Sequence, residues 1–159
     1  MKRLEFIATG LLSLPVYFLD GSLASNQSKD PLPDKLVNEF VRAGHNDLDA
    51  VKQMLNEKPA LLNASWDWGN GDFETALGGA SHMGNRGIAT YLLAQGARAD
   101  IFTYAMLGHV QIVRGMAELY PSLLTSKGPH GISLYTHALK GGEEATDIIK
   151  YLEASGITK

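Results

Sequence analysis

The sequence predicts an all-α protein in which short helices pair into hairpins and the hairpins stack into a solenoid. Three observations lead to this prediction. From Thr75 to Ala97 a residue that can cap a helix is followed by small residues, a glycine and a second, apolar helix. The same offsets recur along the chain, and the apolar positions of each second helix have helical spacing. Such self-similarity is typical of helical repeat proteins, in which each hairpin buries one face against the next.

The clearest repeat unit defines what each position is expected to do. Thr75 is expected to cap the first helix, and Gly84 to end it in the left-handed conformation. The second helix is predicted over residues 85–95 and ends before Gly96. Small residues in the first helix let neighbouring hairpins approach closely.

Three further copies extend the repeat to about four helix pairs. Gly108 and Gly142 occupy the place of Gly84 in the later copies, and Asn46 occupies it in an earlier, weaker copy. Asparagine tolerates the left-handed conformation best after glycine, so Asn46 is expected to adopt it. The copies are unevenly spaced, because two long connections lie over residues 65–74 and 126–132.

These residues resemble the ankyrin-repeat family, whose pattern runs Thr-Pro-Leu-His, two alanines, a glycine, Ile-Val, Leu-Leu and Gly-Ala. The stretch from Thr75 to Ala97 matches that pattern without a gap, although Ala76 and Gly78 replace its proline and histidine. The resemblance covers residues 36–156, and residues 66–84 are similar to a bacterial branch of the family. It implies an ankyrin-like solenoid of about four repeats, with inter-repeat loops beside a concave face built by the first helices.

The N-terminus is typical of a cleaved secretory signal. Lys2 and Arg3 precede an apolar run over residues 6–19, and Ser22 and Ala24 supply small residues for cleavage. The run is short for a spanning helix, so a permanent membrane anchor is only the alternative. The predicted organisation is a signal peptide at 1–24, a flexible linker at 25–33 and the repeat domain at 34–159. The mature chain is therefore expected to be periplasmic or extracellular, without stable membrane insertion.

Composition restricts the function classes. The chain has no cysteine, which excludes disulfides and lipid attachment through cysteine. Its net charge is −3, and its lysines and arginines are scattered rather than clustered, which argues against nucleic-acid binding. No Gly-x-Ser-x-Gly or phosphate-loop motif occurs. We therefore expect a monomeric, non-enzymatic protein without a cofactor.

The two long connections carry the unusual side chains. Both tryptophans, Trp66 and Trp68, lie in the first connection, and tryptophan combines a large contact area with a hydrogen-bond donor. We expect one indole to face the stack and the other to face solvent. Asp67 and Asp72 accompany them, so the first connection is a candidate recognition surface beside the groove.

Three histidines are expected on the groove side. His82, His130 and His137, with nearby carboxylates, could hold a metal ion or act as acid and base. However, no His-x-x-x-His or His-Glu-x-x-His pair places two ligands on one helical face, which favours histidines that only tie loops to helices. His109 is expected to pack and His45 to interact favourably with a helix C-terminus, and neither is a site candidate.

The sequence thus predicts a binding module for a protein or peptide partner. The alternative is a small-molecule or metal site, including a hydrolytic one, where the two connections meet. The candidate binding residues are Trp66, Asp67, Trp68, Asp72, His82, His130 and His137.

Overall fold

A computed structural model describes residues 30–158. The predicted signal peptide and the first five residues of the predicted linker lie outside this range. The described part is mostly helical. Its α-helices are α1 Asp34–Asn46, α2 Leu48–Glu57, α3 Ala76–Met83, α4 Arg86–Ala94, α5 Ile101–Leu107, α6 Val110–Leu119, α7 Leu134–Lys140 and α8 Thr146–Ala154. The strands are β1 Ser65–Asp67 and β2 Phe73–Thr75, and the 3₁₀ segments are Pro59–Asn63, Pro121–Thr125, Pro129–Gly131 and Gly142–Ala145.

The α-helices form four consecutive pairs, and the first helices of the pairs form an inner row. Helices α1, α3, α5 and α7 pack against one another in chain order. Helix α7 also contacts α3 directly, so the inner row closes up instead of following a straight line. This closure brings the connection before α7 towards the N-terminal half of the described chain.

The helix boundaries follow from local chemistry. The side chain of Thr75 accepts a hydrogen bond from the backbone N–H of Gly78 and caps α3, as predicted. Gly84 ends α3 with a φ of 76°, which confirms the predicted left-handed turn. The same geometry recurs where Ser133 caps α7 and Gly108 ends α5.

The prediction for Asn46 is wrong. Asn46 is the last residue of α1 and is not left-handed; among the non-glycine residues of the described chain, Asn70 and His130 have positive φ. Asp47 follows with a φ of −120° and caps α2 by accepting a hydrogen bond from Ala50. Because Asp47 already turns the chain between α1 and α2, no left-handed residue is needed there.

The first long connection is a β-hairpin, which adds a small sheet to the all-α prediction. Strands β1 and β2 pair antiparallel, with Trp66 opposite Glu74. Between the strands, Gly69, Asn70 and Gly71 all have positive φ, a conformation that glycine and asparagine tolerate best. The hairpin packs against α1.

Long-range polar contacts hold the helix pairs together. From the start of α4, Arg86 donates to the backbone carbonyls of Leu107 and Met106, which end α5. The buried hydroxyls of Ser81 and Thr103 lie 2.9 Å apart and join α3 to α5. Within residues 30–158, no helix is both long and apolar enough to cross a membrane.

Candidate metal centre

The β-hairpin places one carboxylate, that of Glu74, in the interior of the protein. Successive side chains of a strand alternate between its faces, so Asp72 and Glu74 share one face and Phe73 lies on the other. Phe73 is 60% exposed, whereas the side chain of Glu74 is fully buried. The indole N–H of Trp68 donates to Glu74 Oε2 over 2.8 Å and fixes one side of the carboxylate.

Three histidines from three different elements surround this carboxylate. The Nε2 atom of His45, in α1, lies 3.4 Å from Glu74 Oε2. The Nε2 atom of His82, in α3, lies 3.0 Å from Glu74 Oε1, and that of His130, before α7, lies 3.4 Å from Oε2. One ligand atom from each of the four residues falls within 4.8 Å of the others.

Two of the three imidazole rings are oriented by hydrogen bonds at Nδ1, while their Nε2 atoms lie near Glu74. His45 Nδ1 lies 3.0 Å from the carbonyl oxygen of Val41, and His130 Nδ1 lies 2.9 Å from Asp72 Oδ2. Carbonyl and carboxylate oxygens only accept hydrogen bonds, so both Nδ1 atoms must carry the proton. In the neutral rings, Nε2 therefore presents a lone pair towards Glu74. Partners of this kind orient metal-ligating histidines in proteins.

Two atoms at the centre of the cluster, Glu74 Oε1 and His82 Nε2, lack an ordinary hydrogen bond. His82 Nε2 and Glu74 Oε1 lie 3.0 Å apart, which is close enough for an ion pair when the ring is protonated, and neither buried atom has any other partner among the described residues. A buried polar atom without a partner costs about 1 to 3 kcal/mol. A cation bound between Glu74 and His82 would give both of these atoms a partner.

The neighbouring groups also favour the ionised form of Glu74. Burial by itself raises the pKa of this carboxyl, because an apolar environment disfavours charge. In the metal-free protein, the contact with His82, the charge of His45 when its ring is protonated and the hydrogen bond from Trp68 outweigh burial and hold the pKa of Glu74 below its ordinary value. A charged carboxylate is the form that binds a cation.

The spacing of the four ligand atoms suits a small divalent ion. For bonds of about 2.0 Å, the ligand atoms of a tetrahedral zinc site lie about 3.3 Å apart. The Nε2 atoms of His45 and His130 lie 3.4 Å from Glu74 Oε2, close to that spacing, and His82 Nε2 lies 3.0 Å from the other oxygen, Oε1. The other separations, all within 4.8 Å, would have to shorten by up to about 1.5 Å for a regular tetrahedron.

His130 adopts a strained backbone conformation to reach the cluster. Its φ is 58°, in the left-handed region that non-glycine residues seldom occupy. Asp72 holds it there at two points, accepting from the backbone N–H of His130 over 2.8 Å and from the ring. Such residues persist only where their surroundings over-determine them, and they concentrate at functional sites.

Four of the seven candidate residues proposed from the sequence belong to the cluster or contact it. His82 and His130 belong to the cluster, and Trp68 and Asp72 contact it. Asp67 lies apart and stabilises the hairpin turn by accepting from the backbone N–H groups of Gly69 and Gly71.

The expectation that the two indoles face opposite ways is wrong. Trp66 and Trp68 are two residues apart, so strand alternation places them on the same face. Both are half-buried against the core formed by α1 to α4. Only Trp68 donates to Glu74.

His137 lies outside the cluster. Its ring is fully buried, packs on Phe102 with 4.9 Å between ring centroids, and bonds through Nδ1 to the carbonyl of Ser133. Burial lowers the pKa of His137 and outweighs the opposing effect of the Ser133 carbonyl. A metal ion shared by His82, His130 and His137, as weighed from the sequence, does not match this arrangement.

The lowered pKa of His137 predicts acid sensitivity. In the unfolded chain His137 takes up a proton near pH 6.5, but in the folded chain only at lower pH. The free energy of unfolding should therefore fall as the pH drops below about 6.5 towards the folded pKa. In His137→Asn this fall should be shallower, because asparagine can donate to Ser133 but does not titrate.

Urea unfolding at several pH values, in the presence of a chelator, measures this difference. His109→Asn is the matched control, since His109 is an exposed histidine at the start of α6. If wild type and His137→Asn lose stability in parallel, the buried imidazole is not the cause.

Sequence reasoning missed two members of the cluster. His45 is expected from the sequence to act only on a helix end, and Glu74 is named there only as a nearby carboxylate. Two signals could have found them. One is that His45 and His82 both lie in the last turn of first helices that stack side by side. The alternation through Asp72, Phe73 and Glu74 is the other, because it turns both acids to one face.

Comparison of the chain with protein-family models, curated proteins and solved structures gives no match. The ankyrin-repeat resemblance therefore stays a prediction, and the geometry of the cluster is the basis for a functional proposal.

Proposed function

We propose that this protein binds one divalent transition-metal ion of the zinc type through His45, Glu74, His82 and His130. The observation that supports this most strongly is the convergence of three imidazole nitrogens on one buried carboxylate. Imidazole and carboxylate ligands suit zinc and its neighbours, whereas magnesium prefers oxygen ligands and water. The four ligands come from α1, β2, α3 and the segment before α7.

The ankyrin-like solenoid is part of the proposal as the scaffold of this centre. Four helix pairs with an inner row of first helices are compatible with such a scaffold. A hairpin and a loop from the two long connections would then supply Glu74 and His130, while helices α1 and α3 supply the other ligands. Binding of a protein or peptide partner outside the cytoplasm stays a separate prediction.

A zinc titration tests the proposal. The full chain, stripped with a chelator, should bind one zinc ion per molecule in competition with a chromophoric chelator, and should not bind magnesium comparably. His45→Gln should weaken zinc binding at least about tenfold, the lower end of what loss of an outer-shell partner costs. The His45 side chain is partly exposed, so this variant is expected to fold.

His109→Gln is the control, because His109 contacts Tyr104 and lies outside the cluster. Its zinc affinity should equal that of wild type. A chain that binds no zinc, or His45→Gln and His109→Gln with equal affinities, would contradict the proposal.

A further inference from the structure

We infer that the metal centre, held by four protein ligands, accepts a fifth and exchangeable ligand on its α1 side, and that this ligand is a small oxyanion carrying a carboxylate or phosphate group. The inference rests on the proposed metal site and adds the chemical class of its ligand. It is carried by the accessibility of the cluster, by a neighbouring cavity and by the position of Arg42.

The cluster is closed on one side and accessible on the other. The side chains of Glu74 and His82 are 0% and 10% exposed, and they form the closed side. His45 and His130 are 21% and 33% exposed. A ligand that reaches the metal must therefore pass these two histidines. The indole of Trp68 lies beside both, with ring centroids 6.4 Å from His45 and 5.7 Å from His130.

A cavity of about 240 Å³ adjoins the accessible side of the cluster. Its lining consists of Arg42, His45, Asn46 and Trp68, so a metal ligand and an arginine share one space. None of these side chains is acidic. The cavity can admit a small anion, and its polar lining can orient one.

Arg42 is held in place but is not neutralised. It lies three residues before His45 in α1, which places both on one face of the helix. Its guanidinium stacks 4.7 Å from the centroid of the Trp68 ring, and its Nε donates to Asn38 Oδ1. No carboxylate pairs with Arg42 among the described residues, so its terminal N–H groups are available.

The charges at the centre favour an anion. A divalent ion bound by one carboxylate and three neutral imidazoles keeps one positive charge, and Arg42 adds another. The negative charge of Asp72 offsets part of this positive charge, but Asp72 is not one of the four ligands and is hydrogen-bonded to His130. A carboxylate or phosphate that ligates the metal and accepts hydrogen bonds from Arg42 would offset the remaining charge. Arginine binds both kinds of group through paired N–H donors.

Cobalt can report the anion directly, because its visible absorption changes when a ligand is exchanged. The full chain loaded with Co²⁺ is titrated separately with acetate and with inorganic phosphate. We expect a saturable change in the absorption bands. Tighter binding of acetate would indicate a carboxylate ligand, and tighter binding of phosphate a phosphate ligand.

Arg42→Met tests the role of the guanidinium, since methionine keeps an apolar contact with Trp68. The anion should bind at least about tenfold more weakly, because the variant loses the hydrogen bonds from a charged donor. Co²⁺ affinity should stay close to wild type. Arg98→Met is the control, since Arg98 is exposed and does not line the cavity.

The outcomes separate this inference from the proposed function. A spectrum that neither anion changes, or an Arg42→Met variant with unchanged anion affinity, overturns the anion site while the metal site stands. A chain that binds no Co²⁺ and no zinc overturns both.

Discussion

Replacing Glu74 with glutamine is expected to weaken zinc binding at least about a hundredfold, beyond the 10- to 100-fold typical of losing an outer-shell partner. Glu74 is the anionic residue among the four members of the cluster, and the three imidazoles converge on its carboxylate. Glutamine keeps the volume and can still accept from Trp68. However, its uncharged amide cannot compensate a divalent cation in a buried site.

The same hairpin offers a graded series of variants. Asp72→Asn should weaken zinc binding about 10- to 100-fold, because Asp72 orients His130 and would lie one layer outside the ion's ligands. Asp67→Asn is the matched control and should bind as wild type does, since Asp67 bonds only to turn N–H groups. Competition titration measures all three affinities. Equal losses of zinc affinity in Asp67→Asn and Glu74→Gln would mean that binding depends on an intact hairpin rather than on the Glu74 carboxylate.

Zinc should also stabilise the folded wild type. An ion present at a thousand times its dissociation constant adds about 4 kcal/mol to the free energy of unfolding. At the same zinc concentration, a hundredfold weaker site in Glu74→Gln would gain only about 1.4 kcal/mol. Thermal unfolding with and without zinc therefore provides an independent readout for this variant.

Replacing Gly108 with alanine is expected to destabilise the fold by about 2 to 5 kcal/mol. The left-handed conformation, with a φ of 80°, costs an alanine about 1 to 2 kcal/mol. A Cβ atom there would also overlap the backbone carbonyl of Glu144, and overpacking of this kind costs about 1 to 3 kcal/mol more. The loss is large beside a typical stability of about 5 to 15 kcal/mol.

Gly96→Ala separates the two contributions. Gly96 has a φ of 92°, but a Cβ added there meets nothing within 4 Å. Its substitution should therefore cost only the conformational part, about 1 to 2 kcal/mol. Urea unfolding of both variants measures the difference. Equal losses would show that the close approach of α5 to the Gly142–Ala145 segment contributes nothing.

Local features of this fold could be predicted from the sequence because they depend on neighbouring residues. The cap at Thr75 and the left-handed end at Gly84 are decided within a few residues by hydrogen bonding and sterics. Asn46 shows the limit of this approach. Its place in the repeat suggests a left-handed turn, but Asp47 supplies both the turn and the next cap.

The cluster itself could be predicted only in part, because its members approach over long stretches of chain. His82 and His130 are recognisable as groove-side candidates, but their meeting depends on α7 packing against α3 as well as α5. Nothing in the repeat pattern specifies that closure. Glu74 depends on the short hairpin, and His45 becomes a ligand candidate only when α1 lies beside that hairpin.

The contact between α7 and α3 has a consequence for how the domain folds. In a straight solenoid each repeat touches only its neighbours, so stability is nearly a sum of local terms and end repeats can fray independently. Here the fourth helix pair also packs against the second, so pairs that are not neighbours in the chain are coupled. Unfolding is therefore expected to be cooperative across the four pairs. Folding is expected to be slower than in a straight solenoid, because α3 and α7 are about sixty residues apart in the chain and must come into contact.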